Sequence, residues 1–222
     1  EEKLKRAQKS TVSLWSIFKN RAFMLYMLVW LLFCLVDRFE KPIFAAFFEE
    51  VYHIQFFIEP IIGSASAFIG GMLIDIRGRK HMAMYGFVIL GLAYAIVGIT
   101  PSLHSLYFHW IMDAVGAGIL WVNFILVIWG DLAWDKPKEK YYLVGSMPFF
   151  ITDIFRLLML SILTVEELKG LAYAAFSIAS FFLFLAVIPL FYAPETLPEK
   201  ALREKELKNY VSKAKKLKEK FT

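Results

Sequence analysis

The sequence predicts an all-α protein, a polytopic membrane helical bundle with six transmembrane helices. Hydrophobic residues make up 59% of the 222 residues, including 22 Phe and 6 Trp, whereas soluble domains are close to half apolar. These residues fall into six blocks, most of them near the ~20 residues that a helix needs to cross the hydrocarbon core. The blocks are uniformly apolar rather than alternating, so the pattern does not indicate a β-barrel.

The blocks divide the chain into three parts. We assign residues 22–192 to the six-helix transmembrane bundle. Residues 1–21 are charged with an apolar edge, and we expect a cytoplasmic amphipathic linker helix on the membrane surface. Residues 193–222 carry apolar residues at helical spacing, which predicts a cytoplasmic charged helical tail, with a solvated tail left open as the alternative. The blocks cover residues 22–48, 54–74, 82–99, 106–129, 144–163 and 171–192.

The distribution of basic residues predicts the orientation. All but four of the 25 Lys and Arg residues lie in the first segment, in the loops after the second and fourth blocks, or in the tail. Six spans place all of these on one side, and basic loops favour the cytoplasm. We therefore expect a protein integral to the plasma (cytoplasmic) membrane, in contact with its lipid, with both termini in the cytoplasm.

Several function classes are disfavoured by composition. Cys34 is the single cysteine, so no disulfide forms within one chain, and the four His show no metal-ligand spacing with one another. No catalytic constellation and no phosphate-binding glycine loop is apparent. We expect no enzymatic activity, no cofactor, no metal and no ATP-driven transport. The net charge of +5 does not indicate a nucleic-acid partner, because the basic residues alternate with apolar blocks.

Ionisable residues inside the blocks indicate a functional site. Such residues are costly in a membrane and usually face a cavity or a partner. We expect them to line a water-filled cavity that binds a solute or a proton. The aspartates are candidates for protonation, and the arginines would hold an anionic or hydroxylated solute or pair with the acids. The candidate substrate or proton-binding residues are Asp37, Arg38, Glu40, Lys41, Asp113, Asp153 and Arg156.

Two structural alternatives remain open for these charges. Residues 22–36 are only 15 residues long, so Asp37 and Lys41 could lie at the wet end of a short first helix. Asp153 and Arg156 are three residues apart and could form a self-neutralising structural pair.

The loop after the second block carries a motif. Residues 71–80 read G-x-L-x-D-x-x-G-R-K. We expect Gly71 to permit close helix contact, Asp75 to meet the positive N-terminus of a neighbouring helix, and Gly78 to take a turn conformation closed to other residues. The spacing, residue types and position resemble the cytoplasmic signature loop of the major facilitator superfamily. The resemblance implies a conformational role for Gly71, Asp75, Arg77, Gly78, Arg79 and Lys80.

A second resemblance lies after the sixth block. Pro194-Glu195-Thr196 is similar to the end of the last helix in sugar-porter members of that superfamily. Together with the basic segment 1–21, it implies the C-terminal half of a twelve-helix secondary active transporter, which moves a small polar solute by alternating access, with proton symport as an option. The implied partners are the solute and either the missing half or a second copy.

The alternative function is a non-transporting six-helix scaffold or sensor whose cytoplasmic tail binds a partner. The two functions make different predictions for the intramembrane charges. A transporter should direct Asp37, Arg38, Asp153 and Arg156 into one cavity, whereas a scaffold should pair them off or leave them at the surface.

Overall fold

The computed structural model describes residues 13–134, 136–198 and 207. Within these residues every regular element is helical, and six helices are long and apolar enough to cross a membrane. This confirms the predicted all-α bundle. Most of residues 1–12 and 199–222, where the linker and tail were predicted, lie outside the described residues. The six spans, first to sixth, are Arg21–Phe47, Tyr52–Arg77, Arg79–Ile99, Leu103–Ala133, Lys138–Ile162 and Val165–Tyr192.

Several spans contain more than one helical segment. A five-residue helix, Leu14–Phe18, precedes the first span. The fourth span includes a π-helical stretch, a feature that is often found at functional sites. The segments are Tyr52–Ile54 (3₁₀) and Gln55–Arg77 in the second span; Leu103–Trp121, Val122–Ile128 (π) and Trp129–Ala133 in the fourth; and Val165–Leu185 and Val187–Tyr192 in the sixth.

Side chains before the first turn explain where three spans begin. The Asn20 side chain accepts the backbone N–H of Ala22 at 3.0 Å. Ser102 and Thr164 each form a reciprocal capping box at the start of the fourth and sixth spans. These oxygens satisfy backbone donors that the helix leaves unpaired.

The first span is one continuous helix through its charged segment. It runs from Arg21 to Phe47 and contains Pro42. The alternative of a short first helix with Asp37 and Lys41 at its end is therefore wrong, because the helix continues to Phe47.

The main neighbour pairs among the spans repeat between the first three spans and the last three. The main neighbours are the second and fourth spans, the fourth and third, the third and sixth, the sixth and first, and the first and fifth. If the first, second and third spans are exchanged with the fourth, fifth and sixth, respectively, the list of neighbour pairs is unchanged. The second and fifth spans thus lie on equivalent flanks. They are the least buried, with 11% and 22% of their apolar windows buried, against 50% in the third span.

Small residues allow the second and fourth spans to approach closely. A Cβ added to Gly118 would lie 2.7 Å from the carbonyl oxygen of Gly63 and 3.1 Å from the amide nitrogen of Ala67. The expectation for Gly71 is wrong, because a Cβ there would lie 3.6 Å from Val122, an ordinary contact. The tight position is its neighbour Gly70, which faces the fourth span.

Candidate functional site

Three aspartates lie at a similar depth in the bundle. Asp37 is ten residues before the end of the first span, and Asp113 is ten residues after the start of the fourth. Asp153 is nine residues before the end of the fifth helix. At 1.5 Å per residue, each lies about 14–15 Å inside the same end of the bundle. We call this the far end, and the end with Arg21 and Tyr192 the basic end.

Ionic contacts join the first and fifth spans at this depth. Lys41 Nζ lies 3.0 Å from Asp37 Oδ1. Arg38 Nε lies 3.7 Å from Asp37 Oδ2 and 3.9 Å from Asp153 Oδ1. Arg156 Nε donates to Asp153 Oδ1 at 2.9 Å. The predicted pairing of Asp153 with Arg156 is thus present, and Arg38 extends it to Asp37.

A cavity of about 390 Å³ opens beside this network between the first, second and fourth spans. Its charged lining is Asp37, Lys41, Glu59 and Asp113. The amide of Gln55 donates to the Glu59 carboxylate. The rest of the wall is mainly small residues of the second and fourth spans, which leave the space open; these are Gly63, Ser64, Ala67, Ala114, Ala117 and Gly118.

A second cavity of about 440 Å³ lies closer to the far end. Lys41, Arg156, Glu49 and Tyr52 are among its lining residues. Lys41 therefore contributes to both cavities. Of the four residues expected to face one cavity, Asp37 lines the first, Arg156 lines the second, and Arg38 and Asp153 lie between them in the ionic network.

Glu40 lies on another side of the first span, where it is among the residues that line an apolar cavity of about 390 Å³ between the first, fifth and sixth spans. Its side chain is only 5% exposed, and its Oε2 atom lies 4.0 Å from Nε2 of His109 on the fourth span. His109 and Glu59 were not among the predicted site residues. The signal for His109 is its spacing of four residues from Asp113, which puts the two on one helix face.

Carboxylates outnumber cations in this region. If all its groups ionise, five carboxylates face three cations, which leaves two net negative charges apart from His109. Net charge away from water is costly, so the region favours bound protons or a bound cation. The eight groups, which we call the polar cluster, are Asp37, Glu40, Glu59, Asp113, Asp153, Arg38, Lys41 and Arg156.

The signature loop folds into a second polar network at the basic end. Gly78 has φ 102° and ψ 152°, which confirms the conformation expected of it. The Arg79 guanidinium donates to Asp131 Oδ2 at 3.0 Å and to Asp75 Oδ1 at 2.5 Å. Lys80 Nζ donates to the carbonyl of Phe191 at 2.9 Å.

The N-terminus of the third span is capped by Glu195. Its Oε1 atom accepts the backbone N–H groups of Arg79 at 2.8 Å and Lys80 at 3.4 Å. The expectation that Asp75 meets a helix N-terminus is therefore wrong. Asp75 ends the second span with a largely exposed side chain that bonds to Arg79 instead, because Glu195 already occupies the helix end.

Comparisons with protein families, with curated proteins and with solved structures give no match to this chain. Among the described residues, no group of three or more His, Cys, Asp or Glu side chains is arranged to hold a metal ion. The function is therefore argued from the geometry of the polar cluster and the basic-end network.

Proposed function

We propose that the chain is a six-helix half of a secondary active transporter of the major-facilitator type. It moves a small polar solute by alternating access. The observation that carries this proposal is the cavity lined by Asp37, Lys41, Glu59 and Asp113. Acids at this depth are expensive in a membrane and usually mark a solute or ion path.

The packing pattern supports the assignment to half of a larger transporter. Six helices related as two sets of three, with the second set inverted, are the arrangement within each half of such transporters. The exposed flanks on the second and fifth spans provide the surface for the other half or for a second copy. The polar cluster then lies near the junction of the two halves, where a solute is enclosed from both sides.

The basic-end network supports a conformational role for the signature loop. Arg79 connects the second span to the fourth through Asp75 and Asp131, and Glu195 connects the third span to the segment after the sixth. In our proposal this end faces the cytoplasm of the plasma membrane, as the basic residues favour. Breaking and remaking these contacts would accompany the rocking of the half.

Proton coupling follows from the acid surplus. The two net negative charges of the polar cluster are compensated by bound protons, by a bound cationic solute, or by protons and solute that bind in turn. We therefore propose symport or exchange in which protonation of Asp113 accompanies solute movement. Asp113 is the cleanest candidate, since it lines the cavity and has no ion pair within 4.0 Å in the described part of the chain.

Proteoliposome flux tests this function. The full-length gene product and this chain alone are reconstituted, and uptake of sugars, organic acids and organic cations is followed across an imposed pH gradient. We expect the full-length protein to move one class, and Asp113→Asn to abolish the pH dependence. Glu50→Gln, at an exposed acid outside the cluster, is the matched control. Absence of flux for every class would refute the transport function.

A scaffold or sensor remains the second candidate, and one observation favours it. The charges of the first and fifth spans are paired through Lys41–Asp37, Arg38–Asp153 and Arg156–Asp153 contacts, as expected for structural ion pairs. This function predicts that cluster substitutions change only the free energy of unfolding, and that the cytoplasmic tail captures a partner in the absence of any solute gradient.

A further inference from the structure

Glu40 and His109 form a nearly buried pair outside the cavity that Asp113 lines; Glu40 also lines the apolar cavity between the first, fifth and sixth spans. Glu40 Oε2 and His109 Nε2 are 4.0 Å apart, and the side chains are 5% and 2% exposed. Within the described part of the chain, Glu40 Oε2 has no hydrogen-bond partner. Its sequence neighbour Lys41 is directed to Asp37, so the only basic group within 4.0 Å of this carboxylate in the described residues is the imidazole.

Aromatic rings hold the imidazole in place. The His109 ring stacks on Phe44 with centroids 4.6 Å apart and meets the edge of Tyr94 at 4.5 Å. Phe176 of the sixth span covers the other side of Phe44 at 4.3 Å. The pair therefore lies in an apolar enclosure, where an unneutralised carboxylate is costly.

One proton neutralises this pair. A protonated carboxyl beside a neutral imidazole and a carboxylate beside an imidazolium both have zero net charge. Without that proton, a carboxylate with Tyr94 as its neighbour but no cation within 4.0 Å among the described residues remains inside the bundle. A further acid, Asp113, lies one helical turn from His109 on the fourth span and lines the open cavity.

We propose that Glu40 and His109 together bind one proton and exchange it with the open cavity through Asp113. The proton enters from cavity water to the Asp113 carboxylate, passes to the pair, and returns by the same route. At 4.0 Å the two side chains are beyond direct hydrogen-bond reach, so a side-chain movement or a water molecule completes the contact during exchange. The role in coupling rests on the proposed transport function, whereas the proton site does not.

Other titratable groups near the pair act on its charge. Asp37 and Lys41 lie on the same helix, and Tyr94 of the third span faces the Glu40 carboxyl. Glu59 of the second span lies close enough to Asp113 for an electrostatic interaction. The same holds for Tyr52 and Glu40. Asp153 and Arg156 on the fifth span bond to each other. The acids among these groups outnumber the cations, which further favours a bound proton.

Infrared and proton-release measurements on the full chain in liposomes test this proposal. We expect a protonated-carboxyl band that disappears in Glu40→Gln and changes position in His109→Gln. Proton uptake on acidification should fall by about one per chain in Glu40→Gln, and also in His109→Gln, because the Glu40 carboxyl then stays protonated over the whole pH range. In the double variant uptake should fall by about one, not two. Glu50→Gln and His104→Gln, both at exposed positions, are the controls.

The outcomes separate this proposal from transport itself. A Glu40 band without flux of any solute would leave the proton site in place and refute the transporter. Flux with unchanged proton uptake in Glu40→Gln and His109→Gln would refute the proton site. If Glu40→Gln does not fold, Glu40→Asp is measured in its place. This variant retains the acid, so its protonated-carboxyl band should persist. Additive loss of two protons in the double variant would show independent groups and overturn the shared site.

Discussion

Glu195 and Arg79 are 116 residues apart in sequence, and the Glu195 carboxylate accepts the Arg79 backbone N–H at 2.8 Å. The same oxygen accepts the backbone N–H groups of Thr196 and Leu197 at 3.0 and 3.1 Å. One buried carboxylate thus holds the start of the third span and the segment after the sixth together. A negative charge is favourable at this helix end because the helix dipole is positive there.

Removing that carboxylate should destabilise the protein. We expect Glu195→Ala to lower the free energy of unfolding by about 2 kcal/mol, since hydrogen bonds to charged groups contribute ~1.5–3 kcal/mol. Thermal unfolding of the purified protein in detergent measures this. Glu50→Ala, at an exposed acid, should have no comparable effect, and equal losses in the two variants would contradict the capping role.

A side chain at position 78 should strain the backbone. Gly78 has φ 102° and ψ 152°, a region that is almost exclusive to glycine and costs about 1–3 kcal/mol for other residues. We expect Gly78→Ala to lower the unfolding temperature. Gly170→Ala is the control, because a Cβ there meets nothing within 4 Å and alanine favours the helix. A Gly78→Ala protein as stable as the Gly170→Ala protein would exclude strain at the loop.

Gly118 should tolerate substitution less well than the motif residue Gly71. A methyl group at Gly118 would lie 2.7 Å from the Gly63 carbonyl oxygen, whereas at Gly71 it would lie 3.6 Å from Val122. Gly118→Ala must therefore move the second and fourth spans apart, at a typical cost of ~1–3 kcal/mol for overpacking. Spin labels on the two spans would report the separation. Equal label distances in both variants would show that the contact adapts without movement.

The Asp37 and Lys41 side chains should be energetically coupled. Their 3.0 Å contact is mostly shielded from solvent at Asp37, and removal of one partner leaves the other charge poorly compensated. In a double-mutant cycle, Asp37→Asn with Lys41→Gln should cost about 1 kcal/mol less than the sum of the single changes, since residues in contact couple by ~0.5–3 kcal/mol. Chemical unfolding in detergent provides the four free energies.

The exposed pair Lys169–Glu49 is the control for that cycle. Its atoms are 3.5 Å apart, but Glu49 is 74% exposed, and exposed ion pairs contribute little. We expect additive effects for Glu49→Gln with Lys169→Gln. Additivity at Asp37 and Lys41 as well would mean that their contact makes no net contribution to stability.

The sequence was most informative where the physical rule is local. Apolar blocks predict spans because the hydrocarbon core sets a minimum length, and all six are present. The turn at Gly78 was predictable because only glycine adopts such a backbone easily. The candidate acids were recognisable because charge is rare inside a span.

Contacts between spans were less predictable. The sequence indicated Gly71 rather than Gly70 as the site of close helix contact, because the motif spacing does not indicate which side of the helix faces a neighbour. Asp75 was expected at a helix end that Glu195 occupies, and that contact joins residues far apart in sequence. Glu59 and His109 drew little attention because their significance depends on residues of other helices.

The sequence by itself thus determines that the chain is a six-span helical bundle with acids inside the spans and basic residues between them. The reason is that the length needed to cross the membrane, and the cost of placing a charge inside it, apply to each segment separately. Tertiary packing alone decides that Asp37, Glu59 and Asp113 share one cavity, whereas Glu40 lines another and lies beside His109. The physical reason is that the close approach of the second and fourth spans at Gly118, and the neighbours of the first span, fix which helix faces meet.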